Sequence, residues 1–401
     1  MSIRWSTAQR EVFVRAPLHL GRREWAIAVL KNPGVVTEAR DFTPVFRLSA
    51  KHGGFPLDKV KDWVLEWPDT HVYAGTPPDR DSRVAREHRD VSGLLGRFVR
   101  EALDFPRGGE RTGINSFPNN CATFITRARV LLESGLLTAE QGRLLRAQAA
   151  FLTCLLWDDD YFPPRRNGYG GGSANMPVSV ARGRMDAAAA LADHPMAGTW
   201  LATSAKVMGY VINASFGEDG SPQSNPHYMG LLTDAAVSTA RLLRDRGAVR
   251  DEKAAFPHFH KAARFLVDMV TPRDVRLGIR LVPPVGDGYW EHHRNALTVA
   301  PVFRQSDPEL AAHLLWAARA GGIQDAAVDG IEPRMPGLES VVYPGWGAFL
   351  RHGFGTEAES YVGIRFGDFT LDHTHNDAGS INWYARGVPL AMDFATMYTP
   401  H

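Results

Sequence analysis

The segment His373-Thr374-His375-Asn376-Asp377 sets two imidazoles and a carboxylate at alternate positions. On a β-strand alternate residues share a face, so the three side chains would converge. Imidazole with a carboxylate is a donor set for zinc and related ions. Asp393 follows His375 by 18 residues. On the facing strand of a hairpin it would complete a metal pair. The plainer reading is a polar strand face. A second cluster, Asp219-Gly-Ser-Pro-Gln-Ser-Asn-Pro-His227-Tyr228, runs straight into a helix. It sets a histidine and a tyrosine on the first turn. A tyrosine whose pKa is lowered by nearby cations can take and return a proton; otherwise it only packs. A third, Tyr169-Gly-Gly-Gly-Ser-Ala-Asn175-Met176-Pro177, also leads from loop to helix. Its glycines permit close backbone approach, and Asn175 sits at or near an N-cap. It lacks the Lys-Ser/Thr of a phosphate loop.

Weaker signals surround these three. The acidic run Trp157-Asp158-Asp159-Asp160-Tyr161 suits a cation, a glycosidase acid or a solvated helix end. Gly286-Asp287-Gly288-Tyr289-Trp290 is a turn with exposed aromatics, compatible with sugar stacking. Glu218-Asp219 reads as loop solvation. Glu291-His292-His293 lacks the i, i+4 histidines of a helical zinc motif. Cys121 and Cys154 fall in helical segments and read as core.

The elements that must position these residues are mostly helical. Apolar spacing predicts helices over 58–67, 88–105 and 122–134, the last stopped by Gly135. Thr138-Ala-Glu-Gln141 reads as a capping box opening a helix to Trp157, with Leu144, Leu145, Leu152, Leu155 and Leu156 on one face. Further helices are expected over 177–193, 196–214, 228–246, 251–271 and 308–320. About ten helices in consecutive hairpins point to an α/α toroid. After Gly321-Gly322 the pattern changes. Residues 323–340 read as loop, Tyr361–Phe366 alternates as a strand, and Ala385-Arg-Gly-Val388 joins two strands in a hairpin. Residues 1–55 carry no clean period. The expected fold is therefore α+β multidomain: residues 1–325 mainly an α/α toroid (from about residue 57), residues 326–401 an antiparallel β domain that looks truncated.

Composition narrows the function. Lys and Arg number 45 against 44 Asp and Glu, so no basic field attracts nucleic acid. No apolar run approaches the ~20 residues that span a membrane. The first residues lack a signal-peptide core. Two cysteines exclude a disulfide scaffold or a Cys-rich zinc site.

Taken together, the motifs resemble the heparinase II/III-like polysaccharide lyases, a family that also holds alginate and related uronate lyases. The stretch from His373 to Asp393 carries most of the likeness, including the Ser380 and Gly387 positions. Asp219-Gly220 with Ser-Asn-Pro-His-Tyr228, Ser-Ala-Asn175, Gly286-Asp287-Gly288 and Arg351 add to it. The resemblance spans roughly residues 120–401. It implies an α/α toroid followed by a β-sandwich, and cleavage of uronate chains by β-elimination. It assigns Tyr228, His373 and Asn175 to catalysis. Tyr228 would take the C5 proton, protonate the leaving O4, or do both; His227 or His373 would act as base in the opposite stereochemistry. It places His227, Arg166, Tyr169 and Trp157 against the sugar. It gives His375 and Asp393 a structural divalent ion, zinc first, with a third ligand beyond residue 401. The partner it implies is an acidic polysaccharide, and the compartment periplasmic, secreted or cytoplasmic. Three positions depart from the family pattern. Met176 stands where many members have histidine, Gln223 replaces a usual glutamate, and His401 follows Asp393 too soon to serve as the third ligand.

Three rival readings remain open on sequence. One is a glycoside hydrolase, which needs two opposed carboxylates drawn from Asp158–Asp160 and Asp219. Another is a metal-dependent hydrolase, though Ala378 stands where such enzymes place a histidine. The last is an inactive sugar-binding fragment.

Overall fold

The structure, a computed structural model, describes residues 2–6, 11–15, 63–65, 79, 82–103, 116–157, 175–289, 291–367 and 377–393. Two short strands, β1 (Ser2–Ser6) and β2 (Glu11–Arg15), pair antiparallel in a stretch without sequence period. Five helices follow: α1 (Arg83–Leu103), α2 (Ser116–Glu133), α3 (Ala139–Leu156), α4 (Asn175–Ala190) and α5 (Ala197–Ser215). Then come α6 (Pro226–Asp245), the single turn α7 (Glu252–Ala255), α8 (Pro257–Asp268), α9 (Arg294–Phe303) and α10 (Pro308–Ala320). Strands β3 (Val341–Tyr343), β4 (Gly347–His352), β5 (Ser360–Arg365), β6 (Ile381–Ala385) and β7 (Val388–Ala391) form one antiparallel sheet in chain order. No described helix is long and apolar enough to cross a membrane.

The chain divides into two compact units, Met1–Gly171 with Ser179–Ser204 and Gly172–Val178 with Ala205–His401. The first packs α1, α2 and α3 around Val91, Leu95, Phe98, Ile125, Leu145 and Leu152. The α2–α3 turn uses Gly135 at φ +68° and then the capping box. Gln141 N–H donates to Thr138 Oγ1, and Thr138 N–H donates back to Gln141 Oε1 at 2.9 Å. Leu144 departs from the expected face: it is 51% exposed, while Leu145, Leu152, Leu155 and Leu156 are buried. Cys121 and Cys154 are buried and unbridged, and burial pushes the Cys154 thiol up to about 12.

The second unit joins α6 to α10 with the sheet. Its apolar centre runs from Phe259 and Phe265 on α8 to Tyr343, Trp346 and Phe349, with Phe265 edge-on to all three. The helix expected over 251–271 is broken at Phe256. Pro257 disfavours the helical region for the residue before it, and Phe256 sits at φ −130°, ψ 64°. Helix α9 was not expected; it carries Pro301 internally, which weakens the periodic signal. The β6–β7 hairpin matches expectation. Arg386 and Gly387 turn at φ 51° and 74°, the paired positive values of a type I′ turn. A Cβ on Gly387 would lie 2.6 Å from the Arg273 carbonyl oxygen, so only glycine fits.

Candidate functional site

Helix α6 starts at a defined cap. Asn225 Oδ1 accepts the Tyr228 backbone N–H at 2.8 Å, and Pro226 supplies the first helical φ. His227 and Tyr228 are thereby fixed on the first turn, both half-buried. The loop before them is held from below. Gly220 takes φ +92°, where an added Cβ would meet the Lys261 backbone at 2.5 Å. Asp219 accepts backbone N–H bonds from Ser221 and Gly345, each at 2.8 Å. Burial pushes the Asp219 carboxyl up, but these donors outweigh it and hold it below the usual carboxylate range. The expectation that Asp219 is merely solvated is thus overturned: it staples the loop to the β3–β4 turn.

A second segment meets α6. Val282 N–H donates to the Glu291 carbonyl at 3.1 Å, closing the Gly286 turn between them. Glu291 then hydrogen-bonds His227 Nδ1. Tyr289 lies edge-on to the His227 ring at 4.9 Å and Tyr228 at 5.1 Å. The approach is close because Gly230 leaves room for Asn295, whose Nδ2 would be 2.9 Å from a Cβ there. Tyr289 is exposed, as expected for that turn. Glu291 is the residue that sequence reasoning missed. Its neighbours His292 and His293 signal only a poor zinc spacing, and nothing local links it to His227, 64 residues away.

Asp377 fastens the same turn from the other side. Its Oδ2 accepts the Gly286 N–H at 2.6 Å. It was expected on a strand, facing a metal; it precedes β6 in a turn closed by Ser380 N–H to its carbonyl. Asp393 lies two residues past the end of β7, not within the strand, and its Oδ2 accepts the Ser380 hydroxyl at 3.0 Å.

The remaining predicted residues are not brought together by the described structure. His373, His375, Arg166 and Tyr169 lie outside the described residues. Asn175 opens α4. Trp157 caps α3 in the first unit, with the Arg184 guanidinium 5.4 Å from its ring centre. Among the described residues no group of three His, Cys, Asp or Glu side chains could hold a metal ion. Arg351 is structural: it is buried, donates to the Asp268 carbonyl at 2.6 Å, and faces Glu359.

No family model matches the chain, and no curated protein does. Solved structures do match. A heparinase III aligns with TM-score 0.57 and 18% identity over 78% of this chain and 48% of its own. The heparinase III BT4657 gene product gives 0.54 and 14%, over 96% and 54%. The heparan sulfate lyase HepC from Pedobacter heparinus gives 0.53 and 13%, over 92% and 56%. The chain thus spans about half the length of the structures it matches. Helical hairpins followed by an antiparallel sheet are what these proteins share with it, and the chain has the heparinase-like lyase fold, an α/α toroid with a β domain.

Proposed function

We propose that this chain belongs to a polysaccharide lyase that cleaves uronate chains by β-elimination, giving 4,5-unsaturated products. The observation that carries the proposal is Tyr228, fixed by its cap on the first turn of α6 beside the His227–Glu291 pair. A uronate C5 proton lies next to a carboxylate and is weakly acidic. Its removal develops further negative charge on that group, which hydrogen-bond donors must meet. In this reading Tyr228 protonates the departing O4, and the C5 proton goes to Tyr228 itself or, in the opposite stereochemistry, to His227. Asn175 and His373 meet the developing charge. His227, Arg166, Tyr169 and Trp157 hold the sugar.

The substrate class proposed is a glycosaminoglycan, in line with the heparinase and heparan sulfate lyase neighbours; alginate-type chains present the same uronate. Zinc is the proposed ion for His375 and Asp393. The Ser380 hydroxyl donated to Asp393 fits that assignment, since such contacts orient metal-binding carboxylates. A bound ion would brace the segment carrying His373. The glycoside-hydrolase alternative is weakened. Asp219 already accepts two N–H bonds and loses protons readily, the reverse of what a general acid needs.

The test is ultraviolet absorbance of the unsaturated product on a panel of uronate polysaccharides. Tyr228→Phe should lower the rate by about 10²–10⁴-fold. New reducing ends without absorbance would show hydrolysis and sink the lyase reading.

A further inference from the structure

Glu291 and His227 make a pair that the roles above leave unexplained. A carboxylate can only accept a hydrogen bond, so His227 Nδ1 must donate to it. The neutral ring is then held in one tautomer, with Nε2 bare. That nitrogen has no partner among the described residues, and the His227 side chain is 34% exposed. The ring plane is fixed by Tyr228 on its own helix and Tyr289 on the facing turn. A plain surface ion pair would not be pinned on both edges. Two independent devices hold the segment bearing Glu291: the Val282–Glu291 bridge and the bond from the Gly286 N–H to Asp377. A carboxylate that orients an imidazole beside a phenol is an arrangement for moving protons.

Resting on the lyase reading and on its branch with His227 as base and Tyr228 as acid, we propose that Glu291 is the positioning residue of His227. His227 Nε2 takes the C5 proton and forms a new N–H bond. The C5–H electron pair becomes the C4–C5 double bond, and the C4–O4 bond breaks. The leaving O4 takes the phenolic proton of Tyr228. The imidazolium, paired with Glu291, then returns a proton to the phenolate and both groups are reset.

The experiment compares the wild type with Glu291→Gln, Glu291→Asp and His227→Gln on whichever uronate chain is cleaved. An amide at 291 donates as well as accepts, so it releases the tautomer while keeping the shape. Glu291→Gln should lower kcat by about 10-fold with KM nearly unchanged, and His227→Gln should lower kcat by about 10²-fold or more. Glu291→Asp should recover part of the loss. Nitrogen NMR of the histidines supplies a reading independent of turnover: one ring in the Nδ1–H tautomer, becoming mixed in Glu291→Gln. Equal kcat in Glu291→Gln and wild type overturns the proposal. So does a His227 ring in the Nε2–H tautomer. A wild type that releases no unsaturated product overturns the lyase reading and the proton role with it; the NMR signal still decides whether the pair exists.

Discussion

Two glutamates in the second unit hold basic partners, and the difference between them separates scaffold from chemistry. Glu359 is 4% exposed. It binds Arg280 through both oxygens, at 2.9 and 2.7 Å, and faces Arg351 at 3.6 Å. Arg280 stacks on Phe354 and Trp316, Arg351 on Tyr361. Both oxygens of Glu359 are thus engaged inside the fold. Glu291, by contrast, is 29% exposed at its side chain and makes one bond to a half-open imidazole. The two are mechanically linked. Arg280 begins, and Glu291 ends, the segment that turns at Gly286. The buried pair anchors one end of that segment so that the open pair can be presented at the other.

The largest expected effect is on the buried side. Glu359→Gln leaves two guanidinium groups buried against an uncharged amide. Breaking a buried pair from one side costs about 3–5 kcal/mol. Urea unfolding should show that loss; a change below about 1 kcal/mol would mean the pair is not an anchor.

His293 sharpens the contrast through pH. It lies buried beside the same cluster. Burial first, and then the charges of His292, Arg280 and Arg351, lower its pKa to about 4. The native ring therefore stays neutral, while the unfolded ring protonates below its ordinary value of about 6.5. Unfolding takes up a proton across that window, so stability is full above pH ~6.5 and is lost as pH falls toward 4. Burial also lowers His88, His194 and His313, which act in the same direction. Between pH 7 and 5 the His293 share is about 2 kcal/mol. Wild type should lose that much more than His293→Leu over the interval. Parallel stability curves for the two proteins would place the pH sensitivity elsewhere.

How far the sequence reached follows the range of the interactions involved. The Thr138–Gln141 box, the Arg386-Gly387 turn and the setting of His227 and Tyr228 on a first turn all depend on residues within a few positions, and all were legible. The break at Phe256 was signalled by Pro257 but hidden in a strong apolar period. Strands β3 and β4 pair locally, with Tyr343 opposite Gly347, yet β3 has only three residues and its turn carries Pro344 and Gly345, so no alternation marks it. Leu144 shows that a period gives the direction of a stripe and not its edge. Asp219 and Glu291 were misjudged for one reason. Their partners, Gly345 and His227, lie 126 and 64 residues away.

The smallest expected effect is the one that most directly tests the contrast. Glu291→Gln should barely change stability, even though it removes a carboxylate from an imidazole as Glu359→Gln removes one from a guanidinium. Partly exposed pairs contribute about 0–1 kcal/mol, because water and salt already screen them. Urea midpoints of Glu291→Gln and wild type should therefore agree within that range while the kinetics and the His227 tautomer change. If Glu291→Gln instead unfolds the protein as readily as Glu359→Gln, Glu291 is a second anchor of the Gly286 turn. Presenting His227 would then be a by-product of packing, and the distinction between a spent and an open carboxylate would fail for this fold.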